Sequence, residues 1–199
     1  MPNKRKFSRG YSERKVDNRE VKQTFLIVCE GEKTEPNYFK SFRIVSARIH
    51  VHGVGFNPSK LIEETKKLSN EDDYDQVWCV FDRDDWSKED FNNAIVKAEK
   101  EGFRVAYSNE AFELWYVLHF EFLNTGIPRK DYIHKLENLL GHKYQKNSQE
   151  IYDEIKSRQA KAIKNAENLL NQYSPTKPGH DNPSTTVHLL VKELNRFIS

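Results

Sequence analysis

Two short apolar runs that each end at carboxylates constrain the fold of this chain most. Residues 24–29 are followed by Glu30, and residues 77–81 are followed by Asp82 and Asp84. Apolar runs of this length with polar boundaries are typical of buried strands in a parallel sheet. Because the carboxyl ends of parallel strands meet at one edge of the sheet, we expect these acids to lie together there. Neighbouring carboxylates repel each other unless a cation separates them, and Mg²⁺ prefers oxygen ligands. The two runs therefore predict a magnesium site at this edge.

Strands alternate with helices in the first half of the chain. Strands are predicted at residues 24–29, 48–52, 76–81 and 103–107. The helices between them require right-handed crossovers and a parallel sheet. If the first and third strands are central neighbours, the strand order is 2-1-3-4 and both acidic turns lie where that order reverses. The sequence thus predicts an α/β fold with a four-stranded parallel sheet flanked by helices.

From Ser108 onward the pattern is helical. Residues 110–120 are too apolar for a surface helix, so we expect this helix to be buried against the sheet. Further helices are predicted after Pro128, at about 148–173 with a break near Ser157, and at the end of the chain. We divide the chain into a basic arm (1–22), an α/β core (23–120) and a helical extension packed on that core (121–199).

The distribution of charge is more informative than the net charge of +2. Residues 1–22 contain eight basic and three acidic residues and no apolar stretch, so they form neither a signal peptide nor a membrane anchor. This arm is either a solubilising tail or a contact for nucleic-acid phosphates. No apolar segment approaches the roughly 20 residues that span a bilayer, so we expect a cytoplasmic protein without membrane contact. Cys29 and Cys79 are expected as reduced core residues.

Glu30, Asp82 and Asp84 are the candidate catalytic and metal-binding residues. Asp82 and Asp84 lie two positions apart, so in an extended turn both side chains point the same way. Phosphoryl transfer needs metal ions that neutralise developing charge and align the reacting oxygens. A two-metal site uses several carboxylates, whereas at a one-metal site Glu30 could act as general acid or base. The alternative is that each acid is a solvated loop residue.

The buried helix adds two more candidates. Glu113 brings a further carboxylate, and because a buried glutamate needs a partner, it belongs either to the catalytic site or to an ion pair with a core arginine. His119 lies on a different face of that helix and is either a nucleic-acid contact or a core histidine.

Five other residues are candidates for contact with nucleic acid. Lys33 and Arg83 flank the acids and either neutralise them or clamp the scissile phosphate. Lys143 and Lys146, with Tyr144 near them, suit phosphate contact and base stacking. A solvated basic loop fits the same pattern equally.

The chain resembles the RloB-like proteins of the Toprim superfamily. The resemblance rests on blocks that follow one another in order: residues 25–39 with Glu30-Gly31, residues 80–84 with the two aspartates, residues 108–115 with His119-Phe120, Tyr144-x-Lys146, and residues 182–186. Together these blocks cover about residues 24–197. Glu110 departs from the general pattern, in which this position is often not acidic.

The resemblance implies that Glu30 is the Toprim glutamate and that Asp82 and Asp84 are its metal-binding pair. It implies a Mg²⁺-dependent nuclease, with Mn²⁺ able to substitute, that acts on RNA or DNA in prokaryotic anti-phage defence of the restriction or abortive-infection type. RloB-like proteins are commonly encoded beside an ATPase of the AAA or ABC type, so such a partner is implied as well.

Other classes of protein remain as alternatives. The main one is a non-cleaving nucleic-acid-binding or regulatory subunit that works through an ATPase partner. A phosphoacceptor receiver domain needs paired acids after the first strand and a lysine after a fifth strand, and the sequence predicts neither. A topoisomerase or primase normally needs a further tyrosine-bearing or template-binding module, for which these 199 residues leave no room.

Overall fold

The computed structural model describes residues 22–55 and 57–198. The basic arm predicted over residues 1–22 lies outside the described residues, apart from Lys22. The described chain forms one five-stranded sheet that is covered by helices on both faces.

The sheet has the predicted strand order 2-1-3-4, with one additional strand at its edge. Its strands are β1 Gln23–Cys29, β2 Ala47–Gly53, β3 Gln76–Asp82, β4 Arg104–Asn109 and β5 Ser184–Thr185. β1 pairs in parallel with β2 and β3, and β3 pairs in parallel with β4. β5 pairs antiparallel with β4. The α/β prediction with a parallel sheet is confirmed.

The sequence does not predict β5. A strand of two residues has no periodicity to detect, and Asn182-Pro183 indicates a helix cap instead. Hydroxyl groups attach this strand to the sheet: Thr185 Oγ1 donates to the Tyr107 carbonyl, and the Tyr107 N–H donates to Thr186 Oγ1, both at 2.9 Å. An antiparallel edge strand on an otherwise parallel sheet is common in α/β folds.

Eight α-helices surround the sheet in the described part of the chain. They are α1 Thr34–Lys40, α2 Pro58–Ser69, α3 Lys88–Lys100, α4 Glu113–Leu118, α5 Arg129–Leu140, α6 Ile151–Ile155, α7 Gln159–Leu170 and α8 Val187–Asn195. A 3₁₀ turn at Lys156–Arg158 separates α6 from α7, at the predicted break. The N-cap of α2 is Asn57, whose side chain accepts a hydrogen bond from the Lys60 N–H at 2.9 Å.

Each face of the sheet packs against its own layer of helices. In β1, Leu26 and Val28 are fully buried in a cluster with α2 and α3, while Phe25, Ile27 and Cys29 are fully buried in a second cluster on the opposite face. Successive side chains of a strand point to opposite faces. Because both faces are covered, β1 is apolar at nearly every position, which is the pattern that marks it in the sequence.

The larger cluster joins the helical extension to the sheet. Helix α4 is buried at every residue, as predicted, and packs against α5 and α7. Tyr132 of α5, Leu169 of α7 and Leu190 of α8 are fully buried in the same cluster as the β1 side chains. The first residue of α5 is therefore held in a defined place relative to the strand ends.

Two expectations from composition can be compared with the structure. Cys29 and Cys79 are both buried and free, as predicted. Among the helices of the described chain, none has the length and apolar character needed to cross a membrane.

Candidate functional site

The ends of β1 and β3 bring Glu30 and Asp82 together. The two strands are adjacent and parallel, with Cys29 beside Val80, so the residue after β1 lies next to the end of β3. Glu30 Oε2 accepts a hydrogen bond from the Asp82 N–H at 3.1 Å, and Glu30 Oε1 accepts one from the Trp86 indole at 3.2 Å. The two predicted site residues are thus neighbours.

Two further glutamates line the same cavity as Asp82. The cavity has a volume of about 310 Å³, and its walls include Glu35, Asp82 and Glu113. These residues are 5%, 6% and 2% exposed, respectively. The Phe112 N–H, which precedes α4, donates to Asp82 Oδ2 at 2.9 Å. Glu113, the acid predicted on the buried helix, therefore belongs to this cluster.

Glu35 is a site residue that the sequence analysis missed. It lies in the first turn of α1, where Thr34-Glu35-Pro36 indicates only a helix start. A Cβ at Gly31 would lie 2.1 Å from Glu35 Oε2, so glycine at this position leaves room for the carboxylate. Its position in the chain could have indicated that Glu35 lies near Glu30. A helix that begins just after the Glu30 turn must begin at the same edge of the sheet.

Burial raises the pKa of three carboxyl groups in this cluster. Burial raises the pKa of Asp82 well above its ordinary value, and the carboxylates of Glu35, Glu113 and Glu30 raise it further. Burial, with added repulsion from Glu113 and Glu30, raises the pKa of Glu35 to about 7. Burial also raises the pKa of Glu30. Asp82 Oδ1 is buried without a hydrogen-bond partner among the described residues.

The chemistry of these donors fits a divalent cation. Glu30, Glu35, Asp82 and Glu113 offer only oxygen atoms, which Mg²⁺ and Mn²⁺ prefer. A cation would relieve the repulsion that raises the carboxyl pKa values. Within residues 22–55 and 57–198, no three acidic, histidine or cysteine side chains already converge on one ion position. Binding through three or more of these carboxylates would require their side chains to rotate toward each other, whereas one or two carboxylates and water molecules can also hold Mg²⁺.

Asp84 does not lie in an extended turn, contrary to our expectation. Its φ of 42° lies in the left-handed region, which aspartate tolerates better than most residues. The Asp84 N–H donates to the Glu110 carbonyl at 3.0 Å, and the Asp84 carboxylate forms an ion pair with Arg129. Arg129 also lines the acidic cavity, whereas Asp84 is not among its lining residues.

Arg83 is held by neighbours at the end of β4 and is not part of the cavity wall. Its Nε donates to Asn109 Oδ1 at 2.9 Å, and its Nη2 contacts Glu110 Oε1 at 2.6 Å. The acid that Arg83 neutralises is thus Glu110, and not one of the acids that Arg83 flanks in the sequence. The contacts also give Glu110 a structural role.

Lys33 and Lys146 lie at the cavity, where the sequence predicts phosphate contacts. Lys146 Nζ is 3.8 Å from Glu113 Oε1, so the partner of Glu113 is a lysine rather than the core arginine we considered. The loop that carries Lys146 is fixed to α1, because Thr34 Oγ1 donates to the Lys146 carbonyl at 2.8 Å.

His119 and Tyr144 are core residues, and this corrects their prediction as nucleic-acid contacts. His119 is fully buried, its Nδ1 donates to the Trp115 carbonyl at 2.8 Å, and burial lowers its pKa to about 4. Tyr144 is 8% exposed and packs against Tyr116 with ring centroids 6.1 Å apart. Lys143 is exposed and lines a different cavity.

Fold and site together define an α/β protein with a buried acidic cluster at the carboxyl edge of a mainly parallel sheet. The family model described as RloB-like protein matches residues 25–194, and the chain belongs to this family. The matched region contains every residue of the acidic cluster. No curated protein and no solved structure matches the chain.

Proposed function

We propose that this protein is a Mg²⁺-dependent nuclease of the Toprim type that hydrolyses phosphodiester bonds in RNA or DNA. The observation that supports this most strongly is the buried Oδ1 of Asp82, which lies in a cluster with three glutamates and has no hydrogen-bond partner in the described part of the chain. Such a cluster is costly unless a cation joins it. A bound divalent ion neutralises developing charge and aligns the reacting oxygens. Catalysis of phosphoryl transfer consists mainly of such positioning and electrostatic stabilisation.

The position of each acid in the cluster determines its role in this proposal. Glu30, Asp82, Glu35 and Glu113 would hold the ion. Glu35, whose pKa burial and neighbouring acids raise to about 7 in the metal-free protein, would lose its proton when the ion binds, because a cation favours the ionised carboxylate.

The mouth of the cavity suits an anionic polymer. Lys33 and Lys146 are exposed and line the cavity whose floor is acidic. Lysines at this position attract phosphates without reading sequence. This arrangement supports a nucleic acid as the substrate and leaves RNA and DNA as equal candidates.

We further propose that the protein acts in prokaryotic anti-phage defence together with an ATPase of the AAA or ABC type. The support is membership in the RloB-like family, whose members are commonly encoded beside such ATPases. Mn²⁺ is expected to substitute for Mg²⁺ because both are hard cations that accept oxygen ligands.

Cleavage assays test the proposal. We expect wild-type protein to cut at least one of tRNA, rRNA and plasmid DNA in Mn²⁺ or Mg²⁺, with or without an ATPase partner, and to lose this activity in EDTA. Products are read on a denaturing gel, and Glu30→Gln serves as the inactive control. If none of the three substrates is cut in either metal with the partner present, the non-cleaving subunit becomes the better hypothesis.

A further inference from the structure

The acids of the acidic cavity are buried, whereas its cations are exposed to solvent. The acids at its floor are nearly inaccessible, with Glu113 2% and Asp82 6% exposed. The cations at its mouth are open to solvent: the side chains of Lys146 and Arg129 are 46% and 38% exposed. The cations of this cavity are therefore more accessible to a phosphodiester in solution than its acids are.

Arg129 is the cation most closely coupled to the acids. Its Nη1 contacts Asp84 Oδ2, and it lines the cavity together with Asp82 and Glu35. Its positive charge lowers the pKa of both Glu30 and Glu35. The guanidinium thus lies within electrostatic reach of acids from β1, α1 and the turn after β3.

The fold holds Arg129 at this place. It is the first residue of α5 and follows Pro128, whose carbonyl accepts a hydrogen bond from the Asp131 N–H at 2.8 Å. Tyr132 and Leu136 anchor the same helix and are fully buried. Because Arg129 extends from the start of a helix that is anchored in the core, it loses little freedom when its guanidinium binds a ligand.

The chemistry of arginine matches a phosphate. A guanidinium has five N–H donors in a planar fork that fits two phosphate oxygens at once. Nη1 of Arg129 forms the ion pair with Asp84. Because a phosphate oxygen is negatively charged, as that carboxylate is, it can take the place of the carboxylate at Nη1. Arg83, the arginine the sequence singles out, is already bonded to Asn109 and Glu110.

We propose that Arg129 binds the scissile phosphate of the nucleic-acid substrate, exchanging its contact with the Asp84 carboxylate for contact with phosphate oxygens. This inference rests on the proposed function, since the phosphate is that of the nuclease substrate. Residues 121–199 then contribute directly to the active site: α5 supplies Arg129, and the loop after it supplies Lys146.

Binding of single-stranded oligonucleotides tests this assignment separately from cleavage. The probes are fluorescein-labelled DNA and RNA of one sequence, measured by anisotropy in Ca²⁺ over a series of salt concentrations. We expect Arg129→Gln to weaken binding of the preferred probe by about tenfold or more, because a hydrogen-bonded charge is lost. The slope of log Kd against log salt should fall by about 0.7, the value for one phosphate contact on a single strand.

Two variants serve as comparisons. Lys135→Gln removes a cation from the same helix that pairs with Glu121 at 2.7 Å and should bind as wild type does. Arg129→Lys keeps the charge without the fork, so it should keep the salt slope but bind more weakly than wild type.

The assignment is overturned if Arg129→Gln binds as tightly as Lys135→Gln, or if wild-type protein binds neither probe. Wild-type protein that binds through Arg129 but never cleaves would contradict the nuclease proposal and leave Arg129 as a phosphate-binding residue. An Arg129→Gln variant that binds and cleaves like wild type would leave the nuclease proposal intact and remove Arg129 from the site. Measurement of the melting temperature of each variant shows whether weaker binding results from loss of folding.

Discussion

Asp82→Asn is expected to abolish metal-dependent cleavage and to leave the protein as stable as wild type or more stable. The loss of rate should be about 1,000-fold or more, because a catalytic metal ion supplies several kcal/mol and each ~1.4 kcal/mol is tenfold in rate. Stability should not fall, since the Asn carbonyl can still accept the hydrogen bond that the Phe112 N–H donates to Asp82 at 2.9 Å. The substitution also removes a buried charge that Glu35, Glu113 and Glu30 repel.

The combination of lost activity and retained stability is what separates a metal-site acid from a structural acid. Asp85→Asn is the matched control, because Asp85 lies three residues further along the same turn and is exposed. It should change neither cleavage rate nor melting temperature. An Asp82→Asn variant that cleaves at the wild-type rate, or that loses stability when the metal is absent, would contradict our view of this residue.

The Glu35 carboxyl is expected to stabilise metal-free protein increasingly as the pH falls from about 8 to about 5, in opposition to the buried imidazoles of His119 and His188, whose pKa values burial lowers to about 4. Glu35 has a folded-state pKa of about 7 against an ordinary value of 4.5, so the folded state binds its proton more tightly than the unfolded state does. The resulting stabilisation is fully present below about pH 4.5 and is lost as the pH rises through about 7. The raised pKa of Asp82 acts in the same direction. For Glu35 alone the largest change in the free energy of unfolding is about 3 kcal/mol.

Urea unfolding in EDTA at several pH values measures this effect. Glu35→Gln should be more stable than wild type at the alkaline end, and this difference in the free energy of unfolding should shrink as the pH falls through about 7. Glu71→Gln removes an exposed glutamate and should follow the wild-type curve. A difference between Glu35→Gln and wild type that does not change with pH, or a Glu35→Gln curve that coincides with the wild-type curve, would show that Glu35 is not the strained carboxyl described here.

The parts of the site that depend on strand pattern could be predicted from the sequence. The apolar runs before Glu30 and Asp82 indicate parallel strands, and the strand order places their ends side by side. Two residues from distant parts of the chain therefore meet for a reason that is visible in the order of apolar and acidic residues along the sequence.

The parts that depend on helix placement could not be predicted in this way. Glu35 and Arg129 each lie in the first turn of a helix, and where a helix begins relative to the sheet depends on packing. Asp84 has a left-handed backbone conformation and forms an ion pair with Arg129, and the spacing of the two aspartates reveals neither. His119 and Tyr144 have residue types that suit a surface contact, yet the larger core cluster surrounds them both.

Our central claim is that Glu30 and Asp82 share a divalent ion at the carboxyl edge of the sheet. The most direct test is Mn²⁺ binding to the wild-type chain and to Asp82→Asn, followed by the loss of the free-ion signal in electron paramagnetic resonance at neutral pH. We predict saturable Mn²⁺ binding to wild type that Mg²⁺ displaces and that Asp82→Asn loses. Wild-type protein that leaves the free-ion signal unchanged, or an Asp82→Asn variant that binds Mn²⁺ as wild type does, would contradict the claim.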